Sequence, residues 1–438
     1  MIVIYTKETG ARFTYIVEQI FTQILGLKYV IETDETKLKN HNGIIINYSD
    51  RAIDNSLQIV PHGLLSEKDI SKKTLKVEKW DDLPVFFETD GDIPFDLCAA
   101  AFYLLSRYEE YFPKELDRHE RFRAEESIAY KHDFLQKPVV DCWANKLKEI
   151  LLKKDASLQF AEPKYRFTPS IDIDNLFAYK HRDMLRTISG VIYNIAWRNF
   201  DQINRRFRTV LGKEKDPFDN IPEIIALHKS YNVEEIFFLH FGNFGKYDKR
   251  TIDIRREWKA LKKTFDRTSS LGLHISYQAA FSPSRIAKEK KRMETELGII
   301  VTKNRFHYLR FRVPESYQML LKNGITEDYS MGYSRHIGFR ASTSFPFHFF
   351  DLTENKKTGL LLHPFMMMDV ALKHGLQLTP TEEAMQVIKN IIDQVKNVNG
   401  ELVTIFHNES LSEDRHWAGW SGLYGLILRE ANSTFISY

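Results

Sequence analysis

From about residue 161 the chain repeats one pattern: a short apolar run, then a longer stretch with apolar residues three and four apart, then another apolar run. Runs of about four to eight apolar residues read as buried strands, and the longer 3.6-residue period reads as helix. Strands are expected over 167–175, ending at a loop, and over 235–241, 273–279, 305–311 and 401–407, with shorter pieces near 329–333, 338–341, 345–351 and 360–364. Helices are expected over 220–230, 253–270, 283–297, 314–324 and 379–400. In the last, Thr379 reads as the N-cap, Pro380 as the first helical residue and Glu382 as the capping-box partner. Strand–helix units in this number predict an α/β fold with a parallel sheet or barrel. Such folds gather ligands where strands run out into loops.

The first 160 residues read differently. Residues 1–90 suggest a small α/β domain: Ile2-Val3-Ile4-Tyr5 and Ile44-Ile45-Ile46 are strand-like, and Phe13, Ile16, Ile20, Phe21 and Ile24 share a helical face. Residues 91–160 turn helical, over 95–112 and again around Trp143, Leu147 and Leu151, and read as a bridge to a third region, 161–438. The first five residues are apolar, too short a run for a signal peptide, and no run approaches a membrane span. Cys98 and Cys142 are the only cysteines and fit buried thiols, so the expected compartment is the cytoplasm. A net charge of +3 on 438 residues gives no reason to expect a nucleic-acid partner.

Chemistry concentrates in Ser170-Ile171-Asp172-Ile173-Asp174. A two-residue period puts both carboxylates on one side of a strand, where they repel unless a cation or a shared proton lies between them. Spacing alone leaves a strand end with two solvated aspartates equally open. His274, His307 and His407 fall at or near strand positions too, and each taken alone reads more readily as a surface or packed core residue. Converging with the aspartates, they make a divalent-metal site. One carboxylate with two imidazoles suits zinc and also non-haem iron.

Ser170-Ile171-Asp172-Ile173-Asp174, then His274-Ile275-Ser276-Tyr277, Gly338-Phe339-Arg340, Phe345-Pro346-Phe347 and Ile405-Phe406-His407-Asn408 follow one another in an order that resembles the polysaccharide deacetylase superfamily. This is the carbohydrate esterase group of chitin and peptidoglycan deacetylases, and the chain looks like a bacterial subgroup with an extra N-terminal domain. The resemblance spans roughly residues 161–438 and implies an irregular β/α barrel. It implies Asp172 as catalytic base, Arg340 as the arginine orienting that base, and His407 as general acid. It implies Asp174 and His274 as metal ligands, with zinc the foremost cofactor. The pattern departs at Gln278, which stands four residues after His274 where the family has a second histidine. His307, on the next strand, takes the third-ligand role provisionally. The implied activity is removal of an acetyl group from an N-acetylated sugar in a glycan or glycan precursor. The alternative is a catalytically silent carbohydrate-binding protein on the same barrel.

Three further features remain. His363 and Asp369 lie near the expected mouth as outside candidates, and Trp417 and Trp420 either stack on a sugar or pack in the core. Residues 180–215 carry nine Lys/Arg against three Asp/Glu, interleaved with Ile192, Tyr193, Ile195, Trp197 and Phe200. A solvated amphipathic insertion is the plain reading of that segment. Contact with an anionic glycan or a membrane surface is the functional one.

Overall fold

The computed structural model describes residues 2–433 other than 162, 182–187, 189–191, 193–194, 249–254 and 266–269. Its first sheet joins β1 (Ile2–Thr6), β2 (Tyr29–Glu32), β3 (Ile45–Tyr48) and β4 (Ser56–Gln58) in the order β2-β1-β3-β4, every pairing parallel. The helical stretch after β1, Ala11–Val17 continued by Glu18–Ile24, buries Phe13, Ile16, Ile20, Phe21 and Ile24. That is the face their spacing marks.

A small antiparallel pair, β5 (Glu78–Trp80) and β6 (Leu83–Val85), leads to the helix Leu97–Leu105. Asp96 caps this helix by accepting the Ala99 N–H at 2.9 Å. All nine of its residues are buried. The run expected to continue to 112 stops at Arg107, which adopts φ 54°. Its buried guanidinium turns back onto Glu110 at 2.8 Å and the Leu104 carbonyl at 3.1 Å. The second helix, Val139–Lys154, puts Trp143, Leu147 and Leu151 in the core. Cys98 is buried and Cys142 half-buried, and both are free thiols.

The second sheet has nine strands: β7 (Arg166–Ile173), β8 (Ile236–His240), β9 (Ser270–Ile275), β10 (Lys303–Phe306), β11 (Glu327–Asp328), β12 (Phe347–Asp351), β13 (Lys356–Leu362), β14 (Met367–Met368) and β15 (Glu401–His407). They lie in the order β12-β13-β11-β10-β9-β8-β7-β15-β14, and only β12–β13 is antiparallel. The sheet curls into a half-barrel with β12 and β14 at its two ends, compatible with the irregular β/α barrel the resemblance implies. Edge β12 is covered by the first helical segment: the Tyr15 hydroxyl donates to the His348 carbonyl at 2.8 Å, and Gln19 donates to that of Pro346 at 3.1 Å. Capping an edge in this way removes a template for unwanted pairing.

Several boundaries move. The strand expected to 279 ends at Ile275, because Ala279 and Tyr277 lie in a turn held by Ser276 and Asp248. The strand expected to 311 ends at Phe306, and His307–Leu309 forms a 3-10 turn. Residues 329–333 and 338–341 are buried loop, since their apolar side chains fill the space between elements without ladder partners. The cap of the helix Glu382–Asn397 is Thr381, whose hydroxyl accepts the Ala384 N–H, and Thr379 lies two residues upstream.

Candidate metal and catalytic centre

β7 lies in the middle of the sheet, with β15 on one side and β8, β9 and β10 on the other. All five are parallel, so their carboxyl ends share one edge. Register aligns the strands: Asp172 sits opposite His407, His240 opposite His274, and His274 opposite Arg305. Ile171 and Ile173 alternate with the carboxylates and are fully buried. Each such burial stabilises by roughly 1.5–3 kcal/mol, which fixes the face on which Asp172 stands.

Asp174, His274 and His307 converge. Asp174 Oδ1 lies 3.1 Å from His274 Nε2, and Oδ2 lies 3.2 Å from His307 Nε2. The remaining ring nitrogen of each histidine is committed elsewhere. His274 Nδ1–H donates to the Arg305 carbonyl at 2.9 Å, and His307 Nδ1 meets Asp248 Oδ1 at 2.9 Å. This carbonyl-or-carboxylate anchoring fixes a ring so that its other nitrogen presents a lone pair, the usual arrangement behind a metal-bound imidazole. Asp174 Oδ1 and His274 Nε2 are also buried with no hydrogen-bond partner. Two facing orphan acceptors one carboxylate and one imidazole apart are costly unless a cation joins them. The donor set therefore fits a divalent metal such as zinc.

The electrostatics of the chain alone agree. Burial disfavours charge on Asp174, yet His307, His274 and His407 outweigh it and hold the carboxyl well below its ordinary range. Burial works against the His307 imidazolium too, but Asp174 and Asp248 push its pKa up to about 9. Burial keeps His274 below its usual value. Protonated His307 occupies the position of a cation, which a metal would take by displacing the proton.

Asp172 lies just behind, its Oδ2 3.9 Å from His274 Nε2. Its Oδ1 accepts from Arg305 Nη1 at 3.1 Å, and the same nitrogen donates to Ser170 Oγ at 2.9 Å. Arg305 is fully buried, with its guanidinium 4.5 Å above the Phe238 ring. Gly272 makes that stack possible, because a Cβ there would lie 2.4 Å from the Phe238 ring. Arg340, expected to orient the base, does not do so. Its guanidinium is bidentate on Glu110, at 2.9 and 2.7 Å, and donates to the Gly332 carbonyl at 3.0 Å. The arginine on Asp172 is Arg305, reaching across from β10, three strands away, and Arg340 is held by Glu110 instead.

His407 stands on the other flank, Nε2 4.0 Å from Asp174 Oδ2. Asp369 grips its Nδ1 at 2.9 Å and its backbone N–H at 2.8 Å. Burial opposes an imidazolium here, but Asp369 overrides it and raises the pKa well above the ordinary value. Of the two outside candidates, Asp369 thus belongs to the site. His363 does not: it stacks on Tyr329 at 4.3 Å and binds Glu401 at 2.8 Å.

Sequence reading missed Arg305, Asp248 and His240. Asp248 accepts from the Tyr277 and Gln278 backbone N–H groups and from His240, and these with His307 hold it below its usual range despite burial. Gln278 turns away, its amide donating to the Phe244 carbonyl at 3.3 Å. A cleft of about 940 Å³ opens over the centre, with Tyr308, Tyr333 and Trp417 among its walls. Trp420 lies in the core. Directly after His307, Tyr308 and Leu309 adopt φ 60° and 52°, uncommon for residues with a side chain and a local strain that presents the Tyr308 ring to the cleft.

Residues 2–156 match a family of unknown function (DUF7033). No curated protein matches the chain. Among solved structures, a protein assigned as a polysaccharide deacetylase from Mycobacterium smegmatis aligns with 63% of this chain and 87% of its own, at 12% identity and TM-score 0.40. A CE4 family pseudoenzyme from Bacillus anthracis aligns with 61% of this chain and 62% of its own, at 9% identity and TM-score 0.30. A mutant of that pseudoenzyme with restored enzymatic activity aligns at 10% identity and TM-score 0.31, over 65% and 78%. Identities and TM-scores of this size leave the functional reading to the geometry of the chain itself.

Proposed function

We propose that the protein is a metal-dependent hydrolase that removes the acetyl group from an N-acetylated sugar. The observation that carries this reading is the convergence of Asp172, Asp174, His274, His307 and His407 at one sheet edge, with every imidazole turned inward by a carbonyl or carboxylate on its far nitrogen. Asp174, His274 and His307 would hold a divalent metal, zinc foremost, which when bound supplies Lewis-acid polarisation and a water of lowered pKa.

The chain's own groups divide the proton work. Asp172, aimed by Arg305, takes the proton of the attacking water. His407, charged through Asp369, gives a proton to the departing sugar amine. Tyr308 is exposed on the approach and offers a face on which a pyranose ring can stack. Base and acid are separate side chains on the paired strands β7 and β15, so the two transfers do not compete for one group. Gln278 standing where a second histidine is expected favours the silent sugar-binding alternative, but His307 would supply the third ligand without it.

Acetate release from a panel of N-acetylated sugars, with and without chelator, tests the reading. Turnover lost to chelator and restored by zinc is expected. Absence of acetate from every sugar with the metal loaded would overturn it.

A further inference from the structure

Large apolar side chains are not spread evenly over the surface. Of the fourteen that are exposed among the described residues, eight fall between Ile188 and Leu211. Five of them lie on or beside the helix Phe200–Val210: Trp197, Phe200, Phe207, Val210 and Leu211, which are 53–71% exposed. Phe200, Ile203, Phe207 and Val210 follow a spacing of three and four, so they form one stripe along the helix. A surface helix of a globular protein turns such a stripe inward.

This helix is mounted the other way round. Its polar side packs on the protein. Arg206 and Thr209 are buried, with the Arg206 guanidinium 5.0 Å over the Tyr179 ring. The Tyr179 hydroxyl donates to Gln202 at 2.6 Å, and Arg205 Nη1 donates to Asp414 at 2.6 Å. The base of the insertion is clamped by Asp216, whose carboxylate accepts the backbone N–H groups of Ala178, Tyr179, Lys180 and Phe218 at 2.7–3.1 Å. Polar anchors of this number hold the apolar stripe outward. They fasten it to the segment leaving Asp174 and, through Asp414, to the loop after His407.

Charge indicates what meets that stripe. Residues 195–215 hold six basic and two acidic side chains. Glu214 is shared by Arg205 and Arg208, at 3.0 and 3.5 Å, while Arg198 and Lys213 are exposed and in no ion pair. No described helix is long and apolar enough to cross a membrane. Aromatic and aliphatic side chains outward, bordered by uncompensated cations, match the boundary of an anionic bilayer, where an interfacial helix sinks its apolar face roughly 5–10 Å.

We infer that the helix Phe200–Val210 is an interfacial element that docks the protein on an anionic lipid surface. Docking here holds the carboxyl edge of the large sheet, through Asp216 and Arg205, beside that surface. The inference stands apart from the deacetylase reading, since it concerns another face and is measured without turnover.

Co-sedimentation with phosphatidylcholine vesicles, with and without phosphatidylglycerol, tests it on the full chain. The wild type is expected to pellet with the phosphatidylglycerol vesicles, and less so in high salt. Phe200→Ser/Phe207→Ser/Val210→Ser and, separately, Arg198→Glu/Lys213→Glu are expected to lower that binding at least tenfold. Both sets are solvent-exposed, so circular dichroism and metal content should stay as in the wild type. No binding to phosphatidylglycerol vesicles at low ionic strength overturns the inference, as does unchanged binding in either variant. A wild-type dimer that the triple substitution splits, seen by analytical ultracentrifugation, would assign the stripe to a second copy and overturn it too.

Discussion

The two sheets of this protein follow the same construction and end in different chemistry. Both have parallel strands whose carboxyl ends share an edge, β2-β1-β3-β4 in one and β15-β7-β8-β9-β10 at the centre of the other. On the small sheet the polar groups at that edge satisfy one another. Asn47 accepts from Ser49 and donates to the Arg51 carbonyl, and Lys7 pairs with Asp50 at the exposed rim. On the large sheet Asp174 Oδ1 and His274 Nε2 are buried and unsatisfied and face each other, while the far ring nitrogens of His274 and His307 are bonded.

The comparison breaks most severely at the ligands. Asp174→Asn or His274→Ala should empty the site, and acetate release should fall by more than the roughly 10²–10⁴-fold that loss of a general base costs. Elemental analysis beside the rate assay checks this, and full metal content with unchanged rate would reduce the edge to an ordinary strand end. Asp172→Asn is the next largest. It should keep the metal and slow release about 10²–10⁴-fold, and if it alone removes the metal the roles of the two aspartates are reversed.

A subtler effect belongs to Asp369. Because burial is outweighed and the folded-state pKa of His407 is raised, the pair stabilises the fold below about pH 6.5, and that contribution is lost as pH rises through the raised value. The acid function of His407 is lost over the same rise. Asp369→Asn removes the strongest partner raising that value, so the alkaline fall in rate should move to lower pH. A profile that keeps its alkaline limb contradicts the assignment of His407. Smallest of all, Lys7→Ala at the edge of the small sheet should leave metal content, rate and melting temperature unchanged, since that pair is exposed. A loss of metal there would erase the contrast between the two edges.

What the sequence disclosed divides along physical lines. Period-two alternation placed Asp172 and Asp174 on one face, and the run 401–407 is the strand Glu401–His407 as read. Those signals are local. Arg305 escaped because its role depends on which strand lies beside β9, and register between distant segments leaves no trace in a single chain. Asp248 sits in a loop and Asp369 at the start of the helical segment after β14, and only the folded chain brings them to His307 and His407. Arg340 was misassigned for a related reason. Its motif suggested a guanidinium on the base, but Glu110 in the bridge claims it with two hydrogen bonds. The loops at 329–333 and 338–341 read as strands because buried aromatic residues mimic ladder patterning.

In the proposed metal site the third ligand at the large sheet's edge is His307, with Gln278 uninvolved. Zinc stoichiometry measured on the wild type, His307→Ala and Gln278→Ala tests it most directly. One zinc per chain is predicted for the wild type and Gln278→Ala, and none for His307→Ala. Zinc retained in His307→Ala and lost from Gln278→Ala would contradict it.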